Sequence, residues 1–137
     1  MERIAQQCSL PEEVVRPLSQ GQRIPLGDGG AFLEVLHTPG HSGGSVCLMF
    51  TAREGAAAHS IIVGDTIFPG SCGRLDLPDS DIDQMFDSLA TLRALDDSLV
   101  VYPGHAYSGA STTIGAEKRS GLLRPFTREQ WRQMMDK

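Results

Sequence analysis

The chain is predicted to fold as an α/β (α+β) layered domain, on three observations. Four short apolar runs end at glycine, proline or a small-residue loop. One longer segment repeats its apolar residues at helical spacing. The two kinds of segment alternate along the chain, which favours helices layered on a sheet over a pure β-sandwich.

Residues 1–30 carry little periodicity. Ser9-Leu10-Pro11-Glu12-Glu13 suits the start of a short helix, with Ser9 as N-cap, Pro11 in the first turn and acids facing the dipole. Pro17, Pro25 and Gly27-Asp28-Gly29-Gly30 read as turns. Phe32 to Leu36 and Ser45 to Phe50 are predicted strands, followed by a small-residue loop from Arg53 to His59 and a short strand from Ser60 to Val63. Ser80-Asp81-Ile82-Asp83 resembles a capping box, and Ile82, Met85, Phe86, Leu89, Leu92 and Leu95 then recur on one helical face. Leu99 to Tyr102 is a fourth apolar strand, broken by Pro103-Gly104. Thr112 or Thr113 can cap a short helix through Arg119. Thr127 with Gln130 makes a second capping box, ahead of a tail whose apolar residues are Phe126, Trp131, Met134 and Met135.

At 137 residues the chain fits one domain spanning 1–137. A domain of this size buries about two-thirds of its unfolded surface. The net charge of −5 and scattered basic residues exclude a general nucleic-acid binder. No run approaches the ~18–20 apolar residues of a membrane span, so no membrane association is expected. Cys8, Cys47 and Cys72 are odd in number and form no C-x-x-C, and no signal peptide is visible. Reduced thiols in a cytoplasmic protein are therefore expected. Cys47, inside an apolar run, reads as a small core residue. Cys72 lacks a neighbouring motif that would activate a thiolate, though it stands where it could line a pocket.

The candidate chemistry lies in His37-Thr38-Pro39-Gly40-His41, Gly64-Asp65-Thr66 and Pro103-Gly104-His105. Each places an imidazole or carboxylate beyond a strand end, next to glycine or proline. Loops at strand ends can bring together residues 24 and 40 positions apart (41 to 65, 65 to 105). Histidine and aspartate are donors that borderline divalent metals accept, and one carboxylate can bridge two cations. Taken singly, Asp65 also reads as a turn residue and His105 as a surface or capping histidine. His59 reads as a solvated loop residue. Lys118 and Arg119 could meet an anionic substrate or simply form a solvated helix face.

These motifs, continued by Gly73-Arg74-Leu75-Asp76, Tyr102-Pro103-Gly104-His105 and Thr112-Thr113-Ile114-Gly115-Ala116-Glu117-Lys118, resemble the metallo-β-lactamase superfamily. The subgroup they resemble is the glyoxalase II-like (hydroxyacylglutathione hydrolase-like) proteins, and the likeness covers roughly residues 20–125. The resemblance implies the C-terminal half of a four-layer αββα sandwich. His41 resembles a ligand of the first metal, Asp65 the bridging and catalytic carboxylate, and His105 a ligand of the second metal. His37 falls at a position that is usually structural. Arg74, and more weakly Lys118, are implied substrate contacts. The implied cofactor is a zinc pair, with iron or manganese as substitutes. The implied reaction is hydrolysis of a thioester such as an acylglutathione by metal-bound hydroxide.

The family's His-x-His-x-Asp-His motif does not occur in the sequence. The resemblance therefore implies a truncated site, with weak metal binding and slow or no turnover by this chain alone. It also implies an exposed apolar sheet face, to be covered by a second copy in a homodimer or by a partner that supplies the missing half-domain. Two alternatives stand beside the hydrolase. One is a persulfide dioxygenase-like iron enzyme, in which His41 and Asp65 would be two of three ligands. The other is a catalytically inactive remnant or binding module.

Overall fold

The computed structural model describes residues 2–136; Met1 and Lys137, the two ends of the expected domain, lie outside them. A six-stranded sheet, in the order β1-β2-β3-β4-β7-β8, forms the centre. Its strands are β1 (Arg23–Leu26), β2 (Ala31–His37), β3 (Val46–Thr51), β4 (Ser60–Gly64), β7 (Val100–Pro103) and β8 (Thr112–Thr113). A separate hairpin pairs β5 (Ile67–Phe68) with β6 (Ser71–Cys72). The helices are α1 (Glu2–Gln7), α2 (Ile82–Arg93), α3 (Ile114–Ser120) and α4 (Arg128–Met135), with a single 3₁₀ turn at Glu12–Val14.

β1 to β4 pair antiparallel in succession, whereas β4 and β7 pair in parallel. Strands β2, β4 and β7 therefore all run the same way and end at one edge. The parallel pair needs a long crossover, and the β5–β6 hairpin followed by α2 provides it.

Alternation along the strands separates two faces. Leu36, Cys47, Ile61, Val63 and Val101 point to the helices and join Met85, Leu89, Leu92, Ile114 and Trp131 in one buried core. On the other face, the register lines up Val35, Leu48, Ile62 and Tyr102 across four strands. Ile62 and Tyr102 remain 47% and 44% exposed there. At the β2–β3 end of this face, Ile4, Val15 and Leu18 of the N-terminal segment line a cleft together with Val35 and Val46.

Three local expectations are corrected. Ser9 is not an N-cap: it adopts φ +54 after α1, and the turn at Glu12–Val14 follows Pro11 without a side-chain cap. The turn-like stretch around Pro25 contains strand β1, which tolerates a proline because it lies at the sheet edge. The N-cap of α2 is Asp81, whose carboxylate accepts from the Gln84 amide at 2.8 Å; Ser80 serves elsewhere. The capping box of Thr127 and Gln130 on α4 forms as expected. Among the described residues, no helix is long and apolar enough to cross a membrane.

Candidate functional site

The edge where β2, β4 and β7 end carries His41, Asp65 and His105 on the three loops that leave it. His41 Nε2 lies 3.4 Å from Asp65 Oδ2, and His105 Nε2 lies 3.4 Å from Asp65 Oδ1. One carboxylate thus stands between two imidazoles, each facing a different oxygen. The side chains are 20%, 29% and 48% exposed for His41, Asp65 and His105, so the site opens to solvent on the His105 side.

Glycines make the approach possible. Gly40 takes φ +152 and lies against α2, where a Cβ would come within 2.6 Å of Met85 Cβ. A Cβ at Gly104 would stand 2.8 Å from Asp65 Oδ1, and one at Gly73 would stand 2.8 Å from His41 Nδ1 and overlap the Asp65 carbonyl oxygen. Main-chain bonds then lock the loops together: the Gly104 amide donates to the Gly64 carbonyl at 2.7 Å, and the Gly73 amide to the Asp65 carbonyl at 3.0 Å. Beneath the site, the buried Thr38 hydroxyl meets Thr66 Oγ1 and Cys47 Sγ, each at 3.2 Å, joining the His41 and Asp65 loops.

His41 is oriented by what its other nitrogen does. Nδ1 meets the Arg74 carbonyl oxygen at 2.8 Å, and an oxygen without hydrogens requires Nδ1 to be the donor. In the neutral imidazole Nε2 is then an acceptor, turned toward the carboxylate. Two acceptors facing each other at 3.4 Å repel unless a proton or cation lies between them, and a ligating histidine commonly has this backbone-carbonyl partner. The Ser80 hydroxyl, expected as a helix cap, instead donates to the His41 carbonyl at 2.8 Å. His105 stacks on Tyr107 with ring centroids 4.7 Å apart.

Among the described residues, no three His, Cys, Asp or Glu side chains surround a single point closely enough to hold one metal ion. Each histidine meets a different oxygen of the carboxylate. Two imidazoles and a carboxylate are donor types that borderline divalent cations accept. Zinc ordinarily takes four ligands, so further donors must come from outside these three residues.

The other expected residues fall as follows. Arg74 reaches the site through its backbone; its guanidinium is bound to Asp76 by hydrogen bonds of 2.8 and 2.9 Å, which hold the Asp76 carboxyl below its ordinary range. Lys118 is not brought to the other three. It pairs with Asp97 at 2.6 Å, in the turn that enters β7, whereas His105 follows the far end of that strand. His37 Nε2 bonds the Gly43 carbonyl oxygen at 2.9 Å, a structural arrangement. His59 is exposed and lies edge-on to Phe50. Glu117, which enters the sequence reading only as part of the Thr112 to Lys118 motif and with no role of its own, is buried.

Cys72 lies with Gly73, Arg74, Leu75, Leu122 and Met135 along an open groove of about 390 Å³. Burial pushes its thiol up to about 11. Alkylation by iodoacetamide is therefore expected to stay slow through pH 9 and to rise only as the pH approaches that value, because the thiolate is the nucleophile. Peptide mapping of the labelled protein reads this directly, and rapid labelling of Cys72 at pH 7 would contradict it.

Residues 10–105 match the metallo-beta-lactamase superfamily. A hydroxyacylglutathione hydrolase from Haemophilus influenzae is 40% identical over 102 residues, which cover 74% of this chain and 43% of that protein. The crystal structure of a metallo-beta-lactamase from Staphylococcus aureus superposes with a TM-score of 0.81 at 28% identity, covering 92% of this chain and 40% of that one. The protein TTHA1623 in a di-iron-bound form gives a TM-score of 0.63 at 39% identity, over 88% of this chain and 56% of that one. The chain spans about half the length of the curated relatives it matches.

Proposed function

The chain belongs to the metallo-beta-lactamase superfamily, and from that premise we propose that it supplies one half of a two-metal site for thioester hydrolysis. The observation that carries this reading is the Asp65 carboxylate, placed between His41 Nε2 and His105 Nε2 with one oxygen for each. In it, His41 and Asp65 would hold the first metal, and Asp65 and His105 the second. A bound metal pair would activate a water and polarise the substrate carbonyl.

The protein's own residues do the positioning. Arg74 and Ser80 fix the His41 loop at two atoms, and Gly73 and Gly104 let the backbone close around Asp65. The groove along residues 70–76 lies beside the site and presents the exposed Arg74 guanidinium, to which an anionic tail such as that of glutathione could bind in competition with Asp76. The hydroxyacylglutathione hydrolases among the relatives support that substrate class, and the di-iron form of TTHA1623 supports iron beside zinc as the metal. The exposed Ile62 and Tyr102 on the β4–β7 side of the open face support a partner half, or a second copy, packed there. Three free cysteines support a reducing, cytoplasmic setting. A single-iron persulfide dioxygenase is the weaker reading, because it leaves His105 on the second carboxylate oxygen without a role.

The test is reconstitution. The chain is mixed with the separately produced N-terminal half of the H. influenzae relative and with zinc or iron, and thiol release from S-lactoylglutathione is followed. Metal-dependent hydrolysis that neither half gives alone is expected. Absence of hydrolysis in a mixture that has associated by gel filtration would overturn the proposal.

A further inference from the structure

The buried Glu117 carboxylate has no cationic partner among the described residues, and the metal-centre reading does not use it. Its Oε1 accepts from the Gly70 amide and its Oε2 from the Thr112 hydroxyl, both at 2.8 Å. Gly121 has to be glycine for this to happen, since a Cβ there would fall on Glu117 Oε1.

Gly70 sits at the tip of the β5–β6 hairpin. Pro69-Gly70, with Gly70 at φ +80, has the residue order of a type II turn between the paired Phe68 and Ser71. Ser108 Oγ donates to the Pro69 carbonyl at 2.7 Å, so two side chains clamp the tip. The hairpin starts just after Asp65 and returns at Gly73 and Arg74, whose backbone atoms meet the Asp65 carbonyl and His41 Nδ1. Among the described residues, its two-residue strands join no other strand. A lone two-stranded hairpin is marginally stable, so its placement has to come from outside its own pairing. Buried Ile67 and Phe68 fix one end of it, and the carboxylate, whose charge-assisted bonds are about twice as strong as neutral ones, fixes the tip.

We infer that Glu117 is a positioning residue: by holding the Pro69–Gly70 tip, it sets the hairpin so that the Arg74 carbonyl accepts from His41 Nδ1 and thereby turns Nε2 toward Asp65. This goes beyond the hydrolase reading and stands whether or not the chain turns over a thioester.

The test uses the full chain, metal-free and ¹⁵N-labelled, in mildly alkaline buffer. Shifts of the imidazole Nδ1 and its bound proton report the His41–Arg74 hydrogen bond, and amide hydrogen exchange reports the Gly73 bond. The variants are Glu117→Ala, Glu117→Gln and Thr112→Val. Glu117→Ala is expected to weaken the His41–Arg74 bond and to speed Gly73 exchange about ten-fold, the loss of one buried hydrogen bond, while amides of the β2–β3 pair keep their protection. Glu117→Gln, which can still accept from Gly70 and donate to Thr112, is expected to restore the wild-type pattern. A folded Glu117→Ala with unchanged His41 and Gly73 signals overturns the inference. So does faster exchange spread evenly over the whole sheet, which marks a merely structural role. If Glu117→Ala does not fold, Thr112→Val decides: a smaller shift of both signals in the same direction supports the inference, and no shift overturns it.

Discussion

Asp65→Ala is expected to strip the protein of metal at both positions at once, while leaving the fold intact. Each cation proposed for this site would take one oxygen of the same carboxylate, so a single substitution removes a ligand from both and the negative charge that offsets their repulsion. Altering a group one step removed from a metal commonly costs 10–100-fold in affinity. Losing a shared ligand is expected to cost more than about 100-fold. His41→Ala and His105→Ala each remove a donor from one side only, and should leave the other cation held by the remaining imidazole and carboxylate oxygen. The fold is spared because the 29%-exposed carboxylate meets the two histidines, whereas the structural bond at this position uses the Asp65 backbone carbonyl. Elemental analysis after dialysis against a fixed zinc concentration, with a urea midpoint alongside, measures both claims. Equal metal content in Asp65→Ala and wild type would remove the basis for the shared-carboxylate reading.

The second large effect is on stability. Trp131 is fully buried in α4, and its indole Nε1 donates to the Ile82 carbonyl at 2.8 Å, at the start of α2. The surrounding charges hold α4 far less well. Arg128 pairs with Asp87 and Asp83, and Arg132 with Asp83, all on 39–67% exposed side chains. Solvent screens such exposed pairs, so they contribute little. Trp131→Ala leaves a large cavity, and cavity-forming aromatic truncations cost about 3–5 kcal/mol. That is a large share of the roughly 5–15 kcal/mol that holds a domain together. A fall in Tm of roughly 12–20 °C is expected, taking about 4 °C per kcal/mol. Trp131→Phe, which keeps an aromatic ring but loses the hydrogen bond, should lose about a third as much or less. A Tm for Trp131→Ala within a few degrees of wild type would mean that α4 is not part of the cooperative core.

The sheet and its principal helix were legible because apolar residues at periods of 2 and 3.6 survive in the sequence, as in Ile61 and Val63 or Met85, Leu89 and Leu92. β1 was not, since Pro25 and the glycines after it carry a turn signal that an edge strand can tolerate. Asp81 and Ser80 are both capping residue types one position apart, and only the structure separates the cap from the hydroxyl that holds His41. The three motif residues could be picked out because glycine and proline mark strand ends. What surrounds them could not. Arg74 acts on His41 through a carbonyl that every residue possesses, and Glu117 bonds a backbone amide 47 positions away. Contacts of this kind leave no trace in residue type or spacing.

The parallel pairing of β4 with β7 has a consequence for the order of assembly. Ser60 aligns with Val100, forty residues later, whereas β1–β2, β2–β3 and β3–β4 each close across a short connection. Closing the longer loop costs more chain entropy and yields nothing until the whole crossover has packed. The antiparallel hairpins can form early and carry the His41 loop with them, but Asp65 and His105 meet only when this slow closure completes. The site is thus a late product of folding, and its presence reports that the crossover has docked.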